Sequence, residues 1–244
     1  MSAVVIGATS AIARAMVRQW ASRGHAVAVA ARDVAEAERI AQDAAVRYGG
    51  AHVAVPFDAL DFDGHKAFVE NVAERLGGID TAIIAFGDMG EQAESELDFG
   101  AARRVIDTNY TAAASVAEAL MAVMGPRHTG TIVGLTSVAG ERGRRSNYIY
   151  GSAKGAFTLY LDGLRGRAHG EGVHVLTVKL GFIDTRMTWG LGGKIPIASP
   201  DDAARAVYDA ARTGTESMYY PHFWAPIMAT IRAIPPALMK RLPL

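Results

Sequence analysis

The sequence predicts an α/β protein, a doubly wound parallel sheet of about seven strands with helices on both faces. Three observations carry that prediction. Short β-branched runs alternate with Ala-rich stretches of helical spacing along the chain. Continuous apolar runs such as Ala3-Val4-Val5-Ile6 fit strands covered on both faces. The first run ends in a small-residue turn that opens a helical stretch.

The elements follow in order. Ala3–Gly7 reads as the first strand and Ser10–Arg23 as the helix after it. His25–Ala31 and Asp33–Tyr48 form the second pair, and Ala51–Phe57 and Asp61–Leu76 the third. Ile79–Phe86 precedes a long helical stretch at Phe99–Met124. Gly130–Thr136 is followed by a helix at Asn147–His169, and Val173–Leu180 by one at Pro200–Arg212. Ser217–Tyr220 supplies a seventh strand. Repeated βαβ units of this kind make a Rossmann-type sheet. No linker or composition break divides residues 1–244, so one domain is expected. Two regions interrupt the rhythm. Residues 182–199 hold Gly190, Gly192 and Gly193 among Met187, Trp189 and Leu191, which suits a lid over a site. Residues 222–244 form an aromatic, basic-ended tail.

Composition excludes several classes of function. Of 244 residues half are hydrophobic, 25 are basic and 25 acidic, so the formal net charge is zero. A neutral chain without a basic stripe has no global attraction to nucleic acid. With no cysteine there are no disulfides, thiolate metal sites or Cys nucleophiles. The seven histidines are scattered and form no ligand cluster, so no metal site is expected. No apolar run approaches the ~18 residues of a spanning helix, and no basic leader precedes Ala3; a cytoplasmic protein is the expectation.

The first strand runs into Gly7-Ala8-Thr9-Ser10-Ala11-Ile12-Ala13. Small residues here let backbone N–H groups approach a pyrophosphate at a helix N-terminus, where the dipole favours anions. An ordinary strand–helix turn is the competing reading, since only one glycine is present. The second strand ends in Ala31, where an acid would bond an NAD ribose, and Arg32 follows. A cation there suits a 2′-phosphate, hence NADP(H) in preference to NAD(H), although Arg32 can equally be a solvated residue at a helix start. Asp58, with Ala59 beside it, suits the adenine amino group or a turn.

The strongest constellation is Tyr150-Gly151-Ser152-Ala153-Lys154, with Ser137 thirteen residues before the tyrosine. On a helix Tyr150 and Lys154 are i and i+4 and share a face. A nearby ammonium is expected to draw the phenol pKa toward working pH and make Tyr150 an acid for a carbonyl oxygen. Ser137, at the end of the fifth strand, can donate to the same oxygen.

These residues resemble the short-chain dehydrogenase/reductase family over residues 3–221. The resemblance implies a catalytic tetrad of Asn109, Ser137, Tyr150 and Lys154, with Lys154 also bonding the nicotinamide ribose and Asn109 holding a relay water. It implies further cofactor contacts at Gly87, Ile183 and Thr185. Three departures stand out. Ile84-Ala85-Phe86-Gly87 occupies the place of the family's Asn-Asn-Ala-Gly, the glycine turn is alanine-substituted, and Leu180 replaces a proline. The segment from Ser137 to Lys154 looks like the subgroup that reduces polyprenyl-phosphate-linked 2-keto-ribose to the arabinose epimer.

Arg142, Arg144 and Arg145 lie in the loop before Tyr150 and suit an anionic substrate, or else form a solvated or subunit-contact loop. Met187 and Trp189 are candidate apolar substrate contacts. The tail suits packing in a homodimer or homotetramer, or docking on the inner face of a membrane. A lipid-linked keto-sugar and a small soluble ketone remain alternative substrates. A non-catalytic NADP sensor is the alternative from another class.

Overall fold

The computed structural model describes residues 1–185 and 196–242; the lid candidates Met187 and Trp189 lie outside them. Seven strands form one parallel sheet in the order β3-β2-β1-β4-β5-β6-β7. They are β1 (Ser2–Ile6), β2 (Ala26–Ala31), β3 (His52–Pro56), β4 (Thr81–Ile84), β5 (Thr131–Ser137), β6 (His174–Leu180) and β7 (Ser217–Tyr220). Each lies within the stretch expected for it or overruns it by one residue. Register is fixed from both sides, because adjacent residues of one strand feed different cores. Ala3 and Val5 join one cluster with α1 (Ala11–Ala21), α2 (Val34–Tyr48) and α8 (Pro200–Arg212). Val4 and Ile6 join another with α3 (His65–Leu76), α6 (Ala112–Met124) and α7 (Tyr148–Gly170).

The helices start where short polar side chains hold their free N–H groups. Ser10 accepts from the Ala13 N–H, Asp33 from Glu36 and Ser199 from Asp202, at 3.2, 2.9 and 3.1 Å. The stretch expected as one helix over 99–124 is α5 (Phe99–Ile106), a π-helical turn at Asp107–Thr111, and α6. A short helix, α4 (Gln92–Leu97), precedes it. The tail folds into α9 (Trp224–Ala233) and α10 (Pro236–Met239). Trp224 and Met228 are buried against Val138 and Phe182 of the same chain. Part of the surface expected to meet a subunit or a membrane is therefore spent on the chain's own fold. No helix among the described residues is long and apolar enough to cross a membrane.

The strand order reverses between β1 and β4, where connections leave to opposite faces of the sheet. Open parallel sheets bind ligands in the crevice at the carboxyl ends of strands at such a point.

Candidate active site

At the end of β1 the chain turns through Gly7 with φ +88°, a conformation side chains disfavour. A Cβ there would stand 2.6 Å from the Cβ of Phe86. Phe86 follows β4 and rests on Phe57 with ring centroids 5.3 Å apart. Bracing expected from asparagines is thus supplied by an aromatic packed on a glycine, together with the Ala85 N–H donating to Ile6 O at 2.9 Å. Thr9, Ser10 and Ala11 are exposed at the mouth of the turn, while Ile12 is buried. The arrangement presents the first amides of α1 to the crevice, and it fits a pyrophosphate.

Arg32 lies exposed after β2 and has no partner among the described residues. The cap of α2 is Asp33, so Arg32 has no capping task. Beside it a cation that sequence reasoning passed over comes into view. Arg14 of α1 bonds Thr9 O at 3.0 Å and pairs with Glu36 at 2.6 Å. Asp58 accepts from the Leu60 N–H at 3.0 Å, which makes it a turn residue with a second carboxylate oxygen available; Ala59 is half-buried next to it.

The chemical residues meet at the ends of β4 and β5. Ser137 closes β5, its side chain accepting from the Ala139 N–H at 3.1 Å and standing near enough to Tyr150 to pull that phenol's pKa down. Tyr150 and Lys154 sit one turn apart on α7, both buried. The Lys154 Nζ donates to Leu135 O at 3.1 Å, leaving two of its three N–H bonds for other acceptors. Gly87 lets the loop after β4 approach this cluster. A Cβ on it would come within 2.8 Å of Asn109 Oδ1 and 3.2 Å of Lys154 Nζ.

Asn109 occupies the π-helical turn and is fully buried. Its Nδ2 donates to Asp88 O at 2.5 Å and Val105 O at 2.8 Å, and its Oδ1 accepts from the Asp88 N–H at 3.2 Å. The side chain therefore locks the loop after β4 to the helix. Such a turn also frees backbone carbonyls from the regular ladder, and π turns gather at functional sites for that reason.

Burial controls the electrostatics. It pushes the Tyr150 phenol up to about 12, against the opposing effect of Ser137. It brings the Lys154 ammonium down to about 8. In Tyr150 loss of hydration outweighs the effect of Ser137, and the charge of Lys154 is not among the causes of the shift.

A wall follows the cluster. Glu141 accepts from Tyr219 at 2.7 Å and pairs with Lys179 at 2.7 Å and Arg232 at 3.6 Å. Burial opposes its ionisation, but the bonds from Lys179 and Tyr219 prevail and hold its carboxyl below the usual range. Of the three arginines beside it, Arg142 donates to Ile234 O of the tail at 2.8 Å, Arg144 is half-buried and Arg145 is exposed. Ile183 bridges Ala198 in parallel fashion, and Thr185 ends the described part of that loop. Among the described residues no cluster of acids and histidines could hold a metal ion.

Comparison with known proteins agrees with this architecture. The sequence profile of the family described as short chain dehydrogenase matches residues 1–194. An uncharacterised oxidoreductase of Mycobacterium tuberculosis is 34% identical over 243 residues, spanning 98% of this chain and 96% of that one. An alcohol dehydrogenase from the archaeon Thermococcus sibiricus, solved with 5-hydroxy-NADP, superposes with a TM-score of 0.77 at 22% identity, over 89% of this chain and 94% of that one. A Brucella melitensis 16M chain described as ribose-5-phosphate isomerase superposes at 0.80 with 26% identity, over 89% of each chain. Fold likeness spans both names, so it carries the architecture and not the reaction.

Proposed function

The chain belongs to the short chain dehydrogenase family, an NAD(P)-dependent oxidoreductase by that membership, and we propose from this premise that it works as an NADPH-dependent ketoreductase. The observation that carries this reading is a buried Tyr150 with Ser137 beside it and Lys154 one turn away on α7. A reduction leaves an alkoxide that needs a proton, and a phenol with its pKa near 12 still gives one up to that far stronger base.

A bound nicotinamide would supply the hydride for the carbonyl carbon. Ser137 donates a hydrogen bond to the substrate oxygen and orients it toward Tyr150. Tyr150 transfers its proton to that oxygen. Lys154 would hold the ribose hydroxyls with its remaining N–H groups, and its charge favours the phenolate once it forms. Asn109, through the turn it anchors, positions a water behind Lys154 that returns the proton. Gly7, Thr9, Ser10, Ala11 and Ile12 would hold the pyrophosphate, and Ile183 and Thr185 the carboxamide. Arg32, with Arg14 behind it, supports the choice of NADPH.

The segment from Ser137 to Lys154 supports a polyprenyl-phosphate-linked 2-keto-pentose as the substrate. We place the enzyme in the cytoplasm as a homodimer or homotetramer, working at the inner membrane surface where such a lipid is presented. Exposed Leu97, Phe99 and Leu159 favour an assembly that covers them.

The test is Tyr150→Phe. NADPH oxidation against a panel of ketones should fall by at least about a thousandfold, while the NADPH dissociation constant changes less than about twofold. Turnover surviving in the variant would remove Tyr150 from the proton transfer.

A further inference from the structure

Between the loop before α7 and the last helix lies a cavity of about 460 Å³, within the ~300–1,000 Å³ typical of small-ligand sites. Arg142, Arg144, Arg145 and Lys240 line it together with Met239 and Leu242, and no acidic residue is among the lining groups. We infer that this cavity binds a phosphate group, with Arg144 as its central contact and Lys240 closing it from the tail.

Four cations with no acid among the described residues lining the cavity repel one another, and such a group is held together by the fold for an anion. Arg142 does the holding: its guanidinium bonds Ile234 O at 2.8 Å and ties the end of α9 to the loop. Arg144 is the telling residue. Its Nε is buried and has no hydrogen-bond partner among the described residues. Burial also pushes its pKa below the usual guanidinium value. A desolvated donor in a charged fork wants an acceptor with several oxygens, and phosphate matches guanidinium geometry in bidentate fashion. Lys240 is exposed and also lacks a partner there, so it is free to close on a ligand as a mobile point charge.

The location argues for a substrate rather than a structural ion. The loop leaves the same end of β5 that carries Ser137, and Tyr150 lies six positions after Arg144. Their Cα atoms can therefore be no more than about 22 Å apart. The mixed lining, cationic on one side and apolar at Met239 and Leu242, suits a phosphate continued by a hydrocarbon chain. As an account of the substrate this rests on the ketoreductase reading; as a binding site it does not.

The experiment is calorimetric titration of the full chain, with and without NADPH, using inorganic phosphate, farnesyl phosphate and farnesol as probes. Arg144→Gln and Lys240→Gln are compared with wild type; Lys240 is exposed, so its substitution leaves folding intact. Farnesyl phosphate should bind, with Arg144→Gln weakening it at least about tenfold and Lys240→Gln about threefold, and farnesol should not. Farnesyl phosphate binding at least about tenfold tighter than inorganic phosphate assigns the site to a lipid phosphate, and equal binding of the two assigns it to a soluble phosphate ester. Failure of both phosphates to bind overturns the proposal, as does binding that neither variant weakens or farnesol binding as tightly as its phosphate. If NADPH fails to bind while farnesyl phosphate does, the cofactor reading fails and the phosphate site stands.

Discussion

At Lys154 an ammonium is buried against β5 with the Leu135 carbonyl as its acceptor, and burial lowers its pKa from 10.5 to about 8. Between those two values the unfolded chain binds more protons than the folded one, so this group's contribution to stability grows as pH rises through that window. Tyr150 acts in the opposite sense at higher pH. Its folded pKa is raised from 10.0 to about 12, so the stability it contributes is complete below the lower value and is lost toward the upper one. Lys154→Met removes the ionisation and keeps most of the volume. At pH 7 the variant should be more stable than wild type by about 1–2 kcal/mol while losing turnover, because a charge required for chemistry is held at a cost to the fold. The gap should narrow as pH approaches 9.5, where the wild-type lysine is neutral. Urea unfolding at both pH values measures it, and a gap that stays constant contradicts the burial argument.

Among the elements, α9 secures the wall of the site. Trp224 is 2% exposed and stands edge-on to Phe182 at 5.2 Å between ring centroids, and Met228 fills the space beneath Val138. Trp224→Ala should cost about 3–5 kcal/mol of stability. Hydrogen exchange should quicken first in residues 138–141, since these pack directly on the helix; uniform acceleration across the sheet would show that α9 is no local brace. The same helix shows what a sequence withholds. Burial on two faces favours an unbroken apolar run, so β1 with Ala3-Val4-Val5-Ile6 was legible at once. An exposed element such as α4, with only Ser95 buried, imposes no period and left no signal. Tyr150, Lys154 and Ser137 were legible because helical spacing and a strand end determine where they stand. Phe86 bracing Gly7 was not, because that contact joins two loops far apart in sequence. Trp224 was visible as an aromatic, but nothing in the chain says which surface an aromatic covers.

For the whole molecule, the sheet order brings the turn after β1, the loop after β4 and the ends of β5 and α7 into one crevice, with Arg32 at its far side after β2. A dinucleotide lying across that crevice touches both halves of the fold, so its binding should be read as global stabilisation rather than as a local change. A ligand present at 100 times its dissociation constant stabilises the folded state by about 2.7 kcal/mol. For a chain of this size that corresponds to a rise in Tm of about 5–10 °C. At equal concentrations NADPH should raise Tm more than NADH if the proposed role of Arg32 holds, because this exposed cation after β2 has no competing partner among the described residues. Arg32→Asp replaces that cation with an acceptor for a ribose hydroxyl and should reverse the order of the two shifts. Arg14 remains paired with Glu36 in the variant, so the turn and the fold are left undisturbed. Melting wild type and variant with each nucleotide tests the assignment directly. If the order is unchanged while both nucleotides still bind, the selectivity resides elsewhere in the crevice. Arg14, paired with Glu36 at the start of α2, is then the cation to substitute next.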